Sequence, residues 1–148
     1  MQLKKDIKFF CQIILLCYHK AKEKKMAKFF KCSICGNIVN KIEDSGVNVF
    51  CCGQKMEELV ANTTDAAQEK HVPVVQTNGN TVTVNVGSVA HPMSEEHNIS
   101  FIALETNLGL QIKKLSPLST PNASFSLAND EKVENVYAYC NLHGLWKN

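Results

Sequence analysis

The sequence predicts a mainly β protein in which a small cysteine-rich, metal-binding domain precedes an antiparallel β-sandwich. Three observations predict it. Cys32, Cys35, Cys51 and Cys52 crowd one short stretch. From His71 onward, β-rich runs with period-two alternation are separated by turn residues. At 148 residues, the chain has room for one small domain beside a medium one.

Composition supports an ordered protein. Hydrophobic residues make up 45% and charged residues 20%, enough to bury a core. The formal charge of +2 hides an uneven distribution. Residues 1–25 hold seven Lys and two acids (7 − 2 = +5), and residues 26–148 hold nine Lys and twelve acids (9 − 12 = −3). Arg, the residue best suited to bidentate phosphate contacts, is absent from the sequence, which disfavours nucleic acid as a partner.

Residues 1–25 stand apart. Phe9 to Tyr18 (FFCQIILLCY) is an apolar run flanked by Lys. It is far short of the ~20 residues that a membrane-spanning helix needs, and no small-residue cleavage site follows it. Met26 then opens MAKFFKCSICGN, which reads like a natural start. The expectation is an N-terminal extension from an upstream start codon, with no membrane association. A lipid-surface anchor is the competing reading, since basic residues beside an apolar helix bind anionic lipid.

Lys28 to about Val60 forms the cysteine-rich unit, punctuated by Gly36, Gly46 and Gly53. It has too few apolar residues to make a core alone, so a metal must hold it together. Ala61 to Lys70 (ANTTDAAQEK) reads as a linker running into a short helical turn, with Thr64 or Asp65 as N-cap. His71–Thr77 and Thr81–Val86 are β-rich runs separated by Asn78-Gly79-Asn80, a hairpin signal. In the second run Val82, Val84 and Val86 alternate with Thr81, Thr83 and Asn85, giving one buried and one wet face. Further strands fit Ile99–Glu105, Leu110–Leu115, Ala123–Ala128 and Val133–Tyr139. Short antiparallel strands at this spacing indicate an immunoglobulin-like sandwich. Phe125 and Trp146 read as core residues without a chemical role.

Seven Cys is an odd number, so disulfides cannot use them all. Cys11 and Cys17 lie in the leader and Cys140 stands alone near the end. Clustered thiols beside five His, without a secretion signal, point to metal ligands in a reducing cytoplasm.

Two constellations carry chemistry. The first is Cys32-Ser-Ile-Cys35, then fifteen residues, then Cys51-Cys52. Four thiolates can surround one tetrahedral ion, and a C-x-x-C pair brings two sulfurs from a single turn. A structural zinc ribbon has the same ligand count, and spacing does not distinguish it from iron. Adjacent cysteines cannot both take the knuckle geometry, and the resulting distortion suits a redox iron at least as well as zinc. The second constellation is dispersed: His71, His91, His97, Cys140 and His143. Singly, each reads as an ordinary surface or core residue. Together they fall at strand ends and turns, where loops at one end of a sandwich converge, and zinc and iron fit the set equally.

These residues, in this order, closely resemble the desulfoferrodoxins, the two-iron superoxide reductases. The matching segments are KCSICGNIV, CCGQKM, EKHVPV, VGSVAHPMSEEHNI and YCNLHGLW, spread over residues 26–148. The resemblance implies a desulforedoxin- or rubredoxin-like domain over 26–61 and a catalytic sandwich over 62–148. It implies two mononuclear iron sites. Cys32, Cys35, Cys51 and Cys52 would hold a distorted tetrahedral iron, which one-iron relatives lack and the reaction therefore does not require. His71, His91, His97 and His143 would form the equatorial plane of a catalytic iron, with Cys140 axial and the sixth position open. Glu69 and Lys70, just before the first His, would be catalytic: Lys70 to attract the superoxide anion, Glu69 to close the open position after oxidation. The implied reaction is the one-electron reduction of superoxide to hydrogen peroxide, with a rubredoxin-like electron donor, a homodimeric assembly and a cytoplasmic location.

Overall fold

The described residues fold as short antiparallel strands with a single helical turn. The computed structural model describes residues 26–148. The leader of residues 1–25, with its apolar run, Cys11 and Cys17, lies outside the described residues. Strands β1 (Lys28–Lys31) and β2 (Ile38–Lys41) pair antiparallel across the turn that carries Cys32 and Cys35. Strands β3 (Phe50–Cys51) and β4 (Gln54–Lys55) form a two-residue-per-arm hairpin, and β5 (Glu57–Glu58) pairs with the other edge of β1. Phe29, Cys32 and Met56 are this unit's buried apolar residues, too few for an independent core.

The linker ends in α1 (Gln68–His71), followed by β6 (Pro73–Asn78) and β7 (Thr81–Val86). Then come β8 (Ile99–Thr106), β9 (Leu110–Lys114), β10 (Asn122–Ser126), β11 (Val133–Cys140) and β12 (Gly144–Lys147). They make a three-stranded sheet, β10-β7-β6, facing a four-stranded sheet, β12-β11-β8-β9. This is the immunoglobulin-like sandwich expected.

Alternation sets the sandwich core. Val82, Val84 and Val86 of β7 and Ala123 and Phe125 of β10 face Ile102 and Leu104 of β8 and Val136, Ala138 and Cys140 of β11. Strand β8 is buried along nearly its whole length because both of its faces are covered. Its other face presents Phe101 and Ala103, which pack with Tyr137, Tyr139, Leu145 and Phe29 of the cysteine-rich unit. Buried Glu105 ties the two units: it accepts hydrogen bonds from the Ala27 N–H (2.6 Å), Asn135 Nδ2 (2.6 Å) and the Tyr137 hydroxyl (3.0 Å).

Three differences from expectation have physical causes. Ala67, not Thr64 or Asp65, occupies the N-cap of α1, and no side chain caps the turn. A one-turn helix is held instead from its end, where the His71 imidazole donates to the Ala67 carbonyl (2.7 Å). His71 therefore sits on the helical turn and β6 starts two residues later. Strand β12 was not anticipated, because four residues after a turn carry no alternation; its pairing with β11 supplies the order.

Two candidate metal centres

The first centre is built by two turns. After β1, the Gly36 N–H donates to the Cys32 carbonyl (3.0 Å) and the Cys32 N–H to the Asn37 carbonyl (2.9 Å), folding Cys32 and Cys35 onto one side. The β3–β4 turn brings Cys51 and Cys52. Cys52 takes a positive φ of 52°, a conformation costly for a residue with a Cβ, and this turns its sulfur to within 3.9 Å of that of its neighbour Cys51. The cost of adjacent cysteines is thus taken up in the backbone. All four sulfurs lie within 4.8 Å of one another.

Electrostatics orders the thiols. The backbone N–H of Cys35, opposed by burial and helped by that of Ile34, lowers the Cys32 thiol to about 7. Crowding by the Cys35 thiol raises Cys51, and the same crowding by Cys35, then Cys51 and Cys32, pushes Cys52 up to about 12. Four thiolates this close repel one another unless a cation sits among them, so the donor set fits a metal ion. Cys35 and Cys52 are exposed, which opens this centre to solvent.

The second centre gathers donors from four segments at one end of the sandwich. His71 comes from α1, His91 and His97 from the β7–β8 loop, Cys140 from the end of β11 and His143 from the turn into β12. The imidazoles stand at the corners of a quadrilateral. Neighbouring ring centroids are 4.8 Å (His71–His91), 4.5 Å (His91–His97), 4.9 Å (His97–His143) and 4.7 Å (His71–His143), whereas the His71–His97 diagonal is 6.4 Å. All five donor atoms lie within 4.8 Å of one another.

Hydrogen bonds select which nitrogen faces inward. A carbonyl only accepts, so His71 donates its Nδ1–H to Ala67 and His91 its Nδ1–H to the Pro92 carbonyl (2.6 Å). Each Nε2 is left with its lone pair aimed at the centre. Nε2 of His91 and Nε2 of His97 are buried and without a hydrogen-bond partner among the described residues. A buried polar atom is ordinarily satisfied, and two converging orphaned imidazole nitrogens fit a metal ion. His143 presents Nδ1, 2.9 Å from His71 Nε2 and 3.5 Å from the Cys140 sulfur.

Burial keeps these imidazoles neutral, the form that ligates. It lowers His71 and His97 from their ordinary value and takes His91 down to about 4. Burial also raises the Cys140 thiol, partly offset by the backbone N–H groups of His143 and Leu142 directed at it. Glu69 and Lys70 lie exposed on α1, two residues and one residue before His71. The Lys70 ammonium also helps to keep His71 and His97 neutral, so its field reaches the centre.

Three supporting residues escaped the sequence reading. Trp146 is core, as expected, but its indole stacks on His71 at 4.8 Å and its Nε1–H donates to the His143 carbonyl (3.1 Å). Asn141 accepts from the Asn98 N–H (2.9 Å) and donates to the Glu96 carbonyl (2.8 Å), while Asn98 Nδ2 donates to the Ser94 carbonyl (3.0 Å). The two asparagines clasp the His97 loop to the Cys140–His143 turn. Each is the residue adjoining a ligand, the one signal that could have marked it.

Known proteins are similar to this chain over most of its length. A family model described as desulfoferrodoxin matches residues 63–148, and one described as the desulfoferrodoxin N-terminal domain matches residues 24–59. A desulfoferrodoxin homolog of Archaeoglobus fulgidus is 42% identical over 123 residues, covering 83% of this chain and 97% of its own length. A desulfoferrodoxin of Clostridium acetobutylicum is 47% identical over 112 residues, 76% of this chain and 87% of its own. The crystal structure of the superoxide reductase from Treponema pallidum superposes with a TM-score of 0.73 at 38% identity, over 84% of this chain and 99% of that one.

Proposed function

The chain belongs to the desulfoferrodoxin family, and from that premise we propose that it is a superoxide reductase, its chemistry carried by the histidine-cysteine centre. Its two donor clusters are those of two mononuclear iron centres, one of four cysteines and one of four histidines and a cysteine. The observation that carries the reading is the pair of buried, unpartnered Nε2 atoms of His91 and His97, converging with three further donors. Bound ferrous iron would supply the single electron that takes superoxide to the peroxide level.

The protein's own contribution is to bind, orient and protect. His71, His91, His97, His143 and Cys140 are assigned as the ligands. These five donors would hold the iron and would leave room on it for substrate. Nδ1–H bonds to the Ala67 and Pro92 carbonyls lock the His71 and His91 rings in the ligating tautomer. The Cys140 thiolate, buried and stabilised by the N–H groups of Leu142 and His143, is an electron-rich donor suited to releasing the reduced product. Lys70 draws the anionic substrate toward a folded region that is otherwise net acidic. With iron bound, Glu69 would supply the carboxylate that closes the site after turnover. Each superoxide takes up one electron and two protons to give hydrogen peroxide, so an external one-electron donor is needed; a rubredoxin-like protein fits that role.

The four-cysteine centre is assigned to Cys32, Cys35, Cys51 and Cys52, over a unit bounded by residues 26 and 61, and the catalytic unit to residues 62–148. We place the protein in the cytoplasm as a homodimer. The five described cysteines are all free thiols, as a reducing compartment maintains, and among the described residues no helix is long and apolar enough to cross a membrane. Metal analysis and stoichiometry test the reading. Two irons per chain, with one reductant consumed per superoxide and no dioxygen evolved, are expected. Zinc at the histidine-cysteine centre, or dioxygen released in the ratio of a dismutase, would refute it.

A further inference from the structure

The VGSVAHPM segment supplies His91, and the residue that begins its turn has no role in ligation. Gly87 directly follows β7, has φ of +81° and lies against α1. A Cβ built on it would stand 2.6 Å from the Glu69 carbonyl oxygen, 2.8 Å from the Lys70 carbonyl carbon and closer still to the Val89 carbonyl oxygen. Real Cβ atoms do not approach backbone this closely, and none of these atoms belongs to a flexible side chain. The same turn grips α1 directly. The Val89 N–H donates to the Glu69 carbonyl (2.9 Å), and the Ser88 hydroxyl donates to that oxygen (3.3 Å).

Helix α1 has little of its own to fix it. It is one turn long, lacks a side-chain cap, and is closed by the Val72 N–H to the Gln68 carbonyl (2.9 Å) and the Lys70 N–H to the Ala67 carbonyl (3.1 Å). His71, at its C-terminal end, is tethered by its ring to the Ala67 carbonyl. Glu69 and Lys70 are therefore located chiefly by the 87–89 turn. That turn is itself closed by the His91 N–H to the Val86 carbonyl (3.2 Å), so one loop carries both a ligand and the seat for the two charged residues.

We propose that Gly87 is a positioning residue for Lys70 and Glu69: its missing side chain lets the helical turn seat on the 87–89 turn and holds both charges at the mouth of the histidine-cysteine centre. The proposal rests on the reading of that centre as the site of superoxide capture. Any residue with a Cβ at position 87 pushes the Glu69–Lys70 backbone outward and moves Lys70 away from the approach path, while the His71 ring keeps its own anchor, the stacking on Trp146.

A double-mutant cycle between Gly87→Ala and Lys70→Ala in the iron-loaded protein tests this, with three readouts. These are the rate of superoxide capture at low salt, the thiolate-to-iron absorption band of the oxidised centre, and hydrogen exchange at the Val89 amide. Each single variant is expected to capture superoxide about tenfold more slowly, the lower end of electrostatic steering. The double variant should be slower than either by no more than about twofold, because the glycine acts through the lysine. G87A should keep the absorption band and exchange its Val89 amide at least about tenfold faster.

An additive loss of about a hundredfold in the double variant would overturn the proposal. A lost or shifted band in G87A would also do so, since the glycine would then act on the ligands. Gly87→Asn separates collision from backbone strain, because Asn tolerates positive φ yet carries a Cβ; full recovery in G87N would overturn the collision argument. If G87A does not fold, Ser88→Ala takes its place, removing one bond onto the Glu69 carbonyl without adding volume. A loss of about threefold that disappears when Lys70 is already Ala supports the proposal, and one that persists overturns it. An undiminished rate in K70A alone would refute the steering role of Lys70, whereas unchanged Val89 exchange in G87A would refute the positioning role of Gly87.

Discussion

Replacing Glu105 with Gln should separate the docking of the four-cysteine unit from the chemistry of the catalytic centre. Glu105 is 6% exposed and its carboxylate accepts three hydrogen bonds: Oε1 from the Ala27 N–H, and Oε2 from Asn135 Nδ2 and the Tyr137 hydroxyl. The amide of Gln offers one acceptor atom in place of two. Whichever way it is turned, its NH2 group meets a donor, Ala27 N–H or Asn135 Nδ2. One buried donor left unsatisfied costs about 1–3 kcal/mol, and the remaining bonds weaken from the ~1.5–3 kcal/mol of a charged partner to ~0.5–1.5. A net loss of about 3 kcal/mol follows, which for a chain of this size lowers Tm by roughly 6–12 °C. Scanning calorimetry of the iron-loaded variant at neutral pH measures it, with visible absorption of both centres recorded alongside. A fall in Tm below about 2 °C would refute the assignment of this carboxylate as the tie between the units. A changed thiolate band at the histidine-cysteine centre would refute their separation, because Glu105 is hydrogen-bonded to none of the five ligands.

Other perturbations follow from the same geometry. In metal-free protein, His71, His91 and His97 sit below their unfolded value, so the unfolded chain binds more protons than the folded one between about pH 6.5 and about 4, the value for His91. Stability should therefore fall as pH drops through that window, and iron loading should steepen the slope, because bound imidazoles and thiolates take up protons only on unfolding; a pH-independent urea midpoint in metal-free protein would contradict this. Asn141→Ala leaves the N–H of buried Asn98 and the Glu96 carbonyl without their partner, and should speed iron release to a chelator by about tenfold; an unchanged release rate would count against the clasp. Trp146→Phe keeps a ring on His71 but loses the donor to the His143 carbonyl, and should cost about 1 kcal/mol; Trp146→Ala loses the stacking too and should cost about 3–5. In chemical denaturation, an unchanged stability of Trp146→Phe would argue that the indole N–H carries nothing, and equal losses in the two variants would argue the same of the stacked ring.

Much of the sandwich was legible because its strands alternate. Val82, Val84 and Val86 show one buried face in the sequence and in the structure, and Thr81–Val86 was bounded to the residue. Strand β8 could be located, but the packing of its second face could not, because a run such as ISFIALET does not say what covers each side. The N-cap failed because α1 is held by bonds from Ser88 and Val89 onto the Glu69 carbonyl, which local propensity does not describe. The five donors, from four separate segments, were visible at strand ends and turns where loops at one end of a sandwich converge; spacing left zinc and iron equal, and the resemblance chose iron. Trp146 and Asn141 were passed over because a buried indole and a turn asparagine have ordinary uses.

The two faces of β8 also bear on why the four-cysteine centre accompanies the histidine-cysteine centre. A bulge at one end of β8, where Cys140 pairs with Ile99 but its neighbour Tyr139 pairs with Phe101, places Ile99 and Cys140 in the sandwich core and Phe101 and Tyr139 on the opposite side. That opposite side is apolar: Phe101, Ala103, Tyr137, Tyr139 and Leu145, covered by Phe29 of the cysteine-rich unit. The unit thus shields the back of the sheet whose tip carries Cys140, and one ring, Phe29, touches both Phe101 (5.4 Å) and Tyr137 (5.7 Å). A chain cut before residue 62 would keep its sandwich core and all five donors of the histidine-cysteine centre but expose this face. It should bind iron at the catalytic centre and aggregate, and polar substitutions on the bared face, not restoration of the four cysteines, should be what returns it to solution. If a truncated chain with its apolar face intact stayed monomeric at high concentration, the covering role of the four-cysteine unit would be refuted, and its presence would have to be explained by electron transfer alone.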